Sequence, residues 1–336
     1  MSKKILIISP SWVGDCVMSQ PLSRRLHELH PNCEIDVFAP KSTMAVFERM
    51  SEVRRIIENP FGHGALQLKK RWQIGRELGK HDYDQVIVLP NSLKSAIVPA
   101  ATGIKQRTGY VGEMRHFLLN DCRRLDKQKH HLMVDRYTAL AHDNDADFTS
   151  SSYPHLQAHP EQQNAALNKY GLNRQHKIMA LSAGAEFGTS KRWLPEHYAA
   201  VAQHYLAQNW QIWLFGSPKD TKISEYINNL TQNRCINLAG KTSLGEAIDL
   251  LACADGMVCN DSGLMHIAAA FGIKTVAVYG STDPTHTPPL HENARFTSLN
   301  LPCSPCFKRE CPLTHHNCMT QLLPERVIEL HHQLGN

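Results

Sequence analysis

Residues 256–284 read GMVCNDSGLMHIAAAFGIKTVAVYGSTDP. A short apolar run, GMVC, stops at the polar residues Asn260, Asp261 and Ser262. An alanine-rich, helix-forming stretch follows, and a second apolar run, KTVAVY, ends at Gly280 and Ser281. Two short runs of strand-favouring residues, bounded by turn residues and joined through a helix, make a βαβ unit. Their continuous apolar character predicts a parallel sheet covered on both faces.

The alternation continues in both directions. KIMALS (177–182) and QIWLF (211–215) are further strands, and helices begin near Pro195, Pro218, Ser243 and Ser262. The first half has the same pattern: KILIIS (4–9), a helix through Leu22, Leu26 and Leu29, then strands at 32–39, 53–58 and 84–89. A polar stretch at 143–160, with Thr149-Ser150-Ser151-Ser152 and two prolines, separates the halves and reads as a linker. The expected fold class is α/β, two doubly wound parallel-sheet domains. Ligands in such sheets bind at the carboxyl ends of strands, so chemistry is sought there.

The composition of the 336 residues, 42% apolar and 20% charged, is that of a globular protein. No apolar run approaches the roughly 18–20 residues that span a bilayer. The apolar stretch after Lys3 and Lys4 is too short for a secretory signal, so a cytoplasmic location is expected. Residues 1–170 hold 23 Lys+Arg against 18 Asp+Glu, whereas 171–336 hold 13 against 13. The positive excess therefore lies in the first half, where an anionic partner would dock; a solvated surface accounts for it as well.

Three motifs follow strands. Ser9-Pro10-Ser11-Trp12-Val13-Gly14-Asp15 comes after the first. Gly14 permits close backbone approach, and Asp15 falls at a helix start, where it is either an N-cap or a general base kept ionised by the positive helix end. Residues 181–193, LSAGAEFGTSKRW, combine small and hydroxylated residues with Lys191 and Arg192 and read as a phosphate cradle or as a solvated turn. The spacing is not that of a P-loop, and the chain lacks a GxGxxG: Gly62-His63-Gly64 has no third glycine in place. Kinase, NTPase and dinucleotide readings are weakened accordingly. In the third motif, Asp261, Ser262 and Gly263 offer a carboxylate, a hydroxyl and backbone N–H groups at one helix end, with His266 one turn on. Asp261 alone fits a plain N-cap equally well.

Two further features stand apart. Cys303, Cys306, Cys311 and Cys318 lie within sixteen residues, with His315 and His316 among them. The spacing fits a structural tetrahedral zinc site or packed reduced thiols; a disulfide suits a reducing compartment least. Zinc is not the favoured reading. The other six cysteines, Cys16, Cys33, Cys122, Cys235, Cys253 and Cys259, are scattered as small hydrophobes. Residues 66–80 read as a helix with Leu68, Trp72 and Gly75 on one side and Lys69, Lys70, Arg71, Arg76 and Lys80 elsewhere; a second basic segment runs from 105 to 129. Both suit an anionic membrane surface or an acidic lipid-linked sugar, or simply solvent.

Taken in order, the WVGD and SQPL segments, GAEFGTSKRWLP and NDSGLMHIAAAFGIKTVAVYGSTDP closely resemble the bacterial lipopolysaccharide heptosyltransferases, over nearly the whole chain. The WVGD start, the NDSG turn and the cysteine-rich segment are most similar to the heptosyltransferase II branch. The resemblance implies a GT-B fold of two Rossmann-like domains facing across a cleft. Residues 1–160 would bind the acceptor, 161–323 the nucleotide sugar, and a C-terminal helix near 324–334 would return to the first domain. It implies inverting transfer of heptose from ADP-L-glycero-D-manno-heptose to the first heptose of the Kdo-containing inner core on lipid A, with no cofactor required. Asp15 would be the base and Lys191 would neutralise the leaving diphosphate. Thr189, Ser190, Asp261, Ser262, Gly263 and His266 would hold the donor, and Gly14, Lys69, Lys70 and Arg71 would meet the acceptor. Glu186 and Phe187 stand where relatives carry hydroxylated residues. The partners implied are ADP-heptose, an anionic lipid-linked core oligosaccharide and the cytoplasmic face of the inner membrane, held peripherally, without nucleic acid. Rival readings are heptosyltransferase I or a relative with another acceptor, an inert nucleotide- or lipopolysaccharide-binding protein, and an NAD-dependent oxidoreductase, which the missing glycine fingerprint disfavours.

Overall fold

The computed structural model describes residues 2–62, 64–143 and 148–334. His63 of the Gly62-His63-Gly64 segment and residues 144–147 of the expected linker lie outside the described residues. The chain divides into two compact units, Met1–His155 and Leu156–Asn336.

The first unit holds β1 (Lys4–Ile8), β2 (Glu34–Pro40), β3 (Val53–Asn59), β4 (Gln85–Val88), β5 (Gln106–Tyr110) and β6 (Asp121–Arg123), ordered 3-2-1-4-5-6. All neighbours are parallel. The second holds β7 (Ile178–Ser182), β8 (Gln211–Leu214), β9 (Ile236–Asn237), β10 (Gly256–Asn260), β11 (Lys274–Val278) and β12 (Ala294–Thr297). Its order, β12-β11-β10-β7-β8-β9, is the same arrangement read from the opposite edge, again all parallel. Each sheet therefore reverses strand order once, between β1 and β4 and between β7 and β10. At such a reversal the flanking loops part and leave a crevice at the strands' carboxyl ends.

Burial follows from composition. Ile5, Leu6, Ile7 and Ile8 are all nearly inaccessible, as are Met257, Val258 and Cys259, because helices cover both faces. In the second unit Trp193, Tyr198 and Tyr205 pack with Leu181, Val258 and Val276. In the first, Phe38, Val86 and Val88 pack with Leu78 and Val98.

Two local expectations change. Helix Leu68–Leu78 buries Arg71, Gly75 and Leu78, while Leu68 and Trp72 are more than half exposed. The inward face is thus set by Arg71, not by Leu68 and Trp72. The guanidinium reaches the carbonyls of Leu66 (2.6 Å) and Ala65 (2.9 Å) and stacks 4.0 Å from the Phe61 ring centroid, which satisfies it inside. Gly75 allows the close approach of helix Ile97–Ala101, since a Cβ there would collide with Val98 and Ala101. The C-terminal helix Pro324–Gln333 packs in the second unit, against β11 and helix Pro195–Ala207, where buried His331 meets the Tyr205 hydroxyl at 2.7 Å and fills space that any side chain at position 256 would obstruct.

Candidate active site

In the second unit, the loops after β7 and β10 are tied together by Asn260, which is fully buried. Its Nδ2 donates to the carbonyls of Ala183 (2.8 Å) and Gly184 (3.3 Å), and its Oδ1 accepts from Trp193 N–H (3.0 Å) and from the Tyr198 hydroxyl (3.0 Å). The turn Thr189–Lys191 is thereby held beside the end of β10. Lys191 Nζ lies 2.5 Å from Asp261 Oδ2, with both side chains largely buried, and the Thr282 hydroxyl donates to the same oxygen at 2.7 Å. Lys191 also stands 5.1 Å from the Phe187 ring centroid. The N-cap of helix Gly263–Ala270 is Ser262, so Asp261 is not the cap. Ser262 makes no side-chain cap bond, and its buried hydroxyl has no hydrogen-bond partner. The helix that starts two residues after the lysine-paired Asp261 thus lacks a side-chain cap on its first N–H groups, the groups a helix leaves without intrahelical partners. His266, one turn further, is buried; burial first, and Lys191 second, lower its pKa to about 4 against the opposing pull of Asp261, so the ring is neutral near pH 7.

Ser190, expected to hold the donor, is engaged within the protein. It is buried, its hydroxyl contacts Ser281 Oγ (3.0 Å) and the Lys308 carbonyl, and its N–H donates to Arg309 O (3.1 Å). It braces the turn, whereas Thr189 beside it is exposed. Glu186 pairs with Lys219 on the surface. The four C-terminal cysteines, with His315 and His316, line one small cavity that also touches Ser190, Gly280 and Ser281. Burial, and then the nearby Cys311, Cys303 and Cys306, raise the Cys318 thiol's pKa. Among the described residues no three His, Cys, Asp or Glu side chains stand in metal-holding geometry.

In the first unit, a cavity of about 810 Å³ opens at the carboxyl ends of the strands, lined by Ser9–Trp12 and Asp15 after β1, by Glu58 and Asn59 of β3, and by Pro90–Ser92 after β4. Lys41, Arg71, Lys94 and Arg136 also line it, so cations outnumber Asp15 and Glu58. Trp12 occupies the N-cap of helix Val13–Met18 and Asp15 is its third residue, so the capping alternative for Asp15 does not hold. The Tyr137 hydroxyl donates to Asp15 Oδ1 at 3.2 Å. Burial chiefly, and Asp15 next, push the Tyr137 pKa well above its usual value, so this phenol remains a donor. Asp15 thus presents a carboxylate, steered by a neutral hydroxyl, to a roomy basic cavity. Lys69 and Lys70 are exposed and do not line that cavity; of the expected trio only Arg71 does.

The sequence profile of glycosyltransferase family 9 (heptosyltransferase) matches residues 71–317. The chain is 42% identical over 97% of its length, and 97% of theirs, to lipopolysaccharide heptosyltransferase 2 of Escherichia coli K12. It is 45% identical to lipooligosaccharide heptosyltransferase 2 of Haemophilus influenzae, over 88% of each chain. The chain belongs to the heptosyltransferases of glycosyltransferase family 9. A solved structure of E. coli ADP-heptose lipopolysaccharide heptosyltransferase II superposes with a TM-score of 0.88, at 40% identity over 98% of both chains. The α/β, two-sheet GT-B class expected from the motifs is therefore that of this heptosyltransferase, and glycosyl transfer is its chemistry.

Sequence reasoning did not find Tyr137, Thr282 or the tying role of Asn260. Tyr137 is 122 residues from Asp15, and nothing local signals that they meet. Thr282 was within a noted strand end, and its hydroxyl, one residue past Ser281, was the available clue.

Proposed function

We propose that this heptosyltransferase moves heptose from ADP-L-glycero-D-manno-heptose onto the first heptose of the Kdo-containing inner core of lipid A, by one inverting displacement. The observation that carries the reading is 42% identity, end to end, with a heptosyltransferase 2. Two arrangements support it. An anionic diphosphate suits Lys191, the unpartnered Ser262 hydroxyl and the free N–H groups of the helix at Gly263, with Thr189 alongside. An acidic, phosphorylated acceptor suits the basic cavity of the first unit.

In this reading Asp15 removes the proton from the acceptor hydroxyl, Tyr137 orients the carboxylate, and Gly14 lets the acceptor approach the backbone. Lys191 leaves Asp261 for the diphosphate as negative charge builds on the departing ADP. Asp261, held by Thr282, and neutral His266 then bind donor hydroxyls. Ser190 acts through its brace on the turn. A single displacement with a base on one side and cationic stabilisation of the leaving group needs no covalent nucleophile, and the residues named supply both without a cofactor. Exposed Lys69, Lys70, Leu68 and Trp72 on one helix suit peripheral contact with the anionic inner leaflet, on the cytoplasmic side. No helix among the described residues is long and apolar enough to cross a membrane.

The deciding assay offers purified protein ADP-heptose with acceptors carrying no heptose or one heptose on Kdo2-lipid A. Transfer only to the second is expected. Equal or preferred transfer to the heptose-free acceptor would assign the chain to heptosyltransferase I activity instead.

A further inference from the structure

Residues 298–316 carry neither helix nor strand, longer than the roughly 12–15 residues at which structureless loops become uncommon in compact domains. Asn300, Phe307, Thr314 and His316 all adopt positive φ, a conformation that costs non-glycine residues energy unless their surroundings impose it. Burial does not impose it here, because the large apolar side chains Phe307 and Leu313 are more than half exposed. What the loop does gather is sulfur, on four partly buried cysteines. Cys303, Cys306, Cys311 and Cys318 line one cavity of about 20 Å³, room for one water-sized body.

We propose that these four cysteines bind a single tetrahedral, thiophilic divalent ion, Zn²⁺ in the first instance, as a structural site that fixes the loop. The Cys-x2-Cys pair and the two later thiols, all within sixteen residues, supply a complete four-sulfur set. The neighbouring histidines are engaged otherwise. His316 donates from Nε2 to the Ser190 carbonyl (3.2 Å), and His315 Nδ1 accepts from Asn317 N–H (3.0 Å). The four cysteines line the same cavity without standing at ligand spacing, so the site requires their side chains to turn onto a common centre as the ion binds. The other cysteines form no comparable set: five are buried singly and Cys122 lies in β6.

The site would act on the donor end of the molecule through contacts already described. Ser190 is bonded to Lys308 and Arg309, Phe307 N–H donates to Ser281 O at 2.7 Å, and Gly188 is packed so closely on Arg309 that a Cβ would collide with its backbone. The cysteine loop therefore backs the turn that carries Lys191. An ion closing the loop would position that lysine without touching substrate.

The test uses the full-length, untagged chain, purified under reducing conditions and dialysed. Elemental analysis should find about one zinc per chain, and Cys306→Ser with Cys311→Ser should lower this to less than roughly a tenth. In the unmodified chain, stripping the metal should expose four more thiols to a thiol reagent, and added Co²⁺ should give sulfur-to-cobalt charge-transfer absorption. These readouts do not depend on how the double variant folds, or on heptosyl transfer. Metal removal should also lower kcat/KM about 10- to 100-fold, with re-addition of Zn²⁺ restoring it. Iron in the same stoichiometry, lost in the same variant, would support the site and change the ion. A metal-free chain that takes up neither Zn²⁺ nor Co²⁺ would overturn the proposal, as would a disulfide among these cysteines or full metal retention in the folded double variant.

Discussion

Replacing Asn260 with Ala tests whether the NDSG turn begins with a structural tie or with a ligand contact. The substitution removes a fully buried amide with four contacts. Tyr198 keeps a partner, because its hydroxyl also reaches Ser182 O at 3.1 Å. Trp193 N–H and the Ala183 carbonyl do not, and the Gly184 carbonyl loses its longer 3.3 Å contact. A buried group left without its hydrogen bond costs about 1–3 kcal/mol. Two such groups at about 1.5–2 kcal/mol each cost about 3–4 kcal/mol, to which a small cavity adds. For a unit the size of residues 156–336, that loss lowers the melting temperature by about 6–16 °C. The measurement is urea and thermal unfolding of the unmodified and variant chains, followed by tryptophan fluorescence, which Trp193 and Trp213 report from this core. Donor KM should rise as well, since the freed Trp193 amide lies two residues from Lys191. Asn260→Asp keeps the acceptor for Trp193 but turns an oxygen toward two carbonyls, so it should be destabilised at pH 7 and partly recover on acidification. A fall of less than about 2 °C for Asn260→Ala would refute the reasoning, because the tie would then carry almost none of the predicted cost.

Asp15→Asn should reduce kcat by about 10²–10⁴ while ADP-heptose affinity, measured by calorimetry, stays within a few-fold; full activity would remove the base from the mechanism. Lys191→Met should lower kcat by about 10²–10³ through lost stabilisation of the leaving diphosphate, and a change confined to donor KM would limit the lysine to ground-state binding. His266 and His331 both have pKa values lowered to about 4, by burial first. The unfolded chain therefore binds more protons than the native one between about pH 4 and 6.5, so stability is full above pH 6.5 and declines as pH falls toward 4. Unfolding midpoints between pH 7 and 5 should show the decline, and His266→Gln with His331→Gln should flatten it. Lys69→Ala with Lys70→Ala should raise acceptor KM for lipid-linked acceptor in anionic vesicles without changing donor KM or the melting temperature, whereas Arg71→Ala, which vacates three carbonyl contacts, should lower the melting temperature.

Both Rossmann sheets were legible because their central strands are continuous apolar runs, as in β1 and β10, whose side chains are buried on both faces. The edges were not. β5 reads QRTGY, β6 has three residues and β9 two, and strands this short or polar carry no period that separates them from a loop. Helix Leu68–Leu78 failed differently. The side shared by Leu68, Trp72 and Gly75 does not mark its inward face: three carbonyls and the Phe61 ring take Arg71 inside, and those partners lie in a preceding loop and after β4.

The site divides along the same line. Asp15, Lys191, Asp261 and His266 could be picked out because each follows a strand that was itself recognisable, and position after a strand is a local property. What each carboxylate does there is not local. At both positions the sequence left a helix cap open, the stronger alternative at Asp15 and an equal one at Asp261, and in both cases another residue, Trp12 or Ser262, holds the cap. The contacts that bear on it come from Tyr137 and Lys191, which meet Asp15 and Asp261 from 122 and 70 residues away. A carboxylate at the cap bonds to its own helix, whereas Asp15 meets Tyr137 and Asp261 meets Lys191, partners from distant parts of their units. Those contacts fit the proposed base and charge-paired donor site, and spacing alone could not have distinguished them.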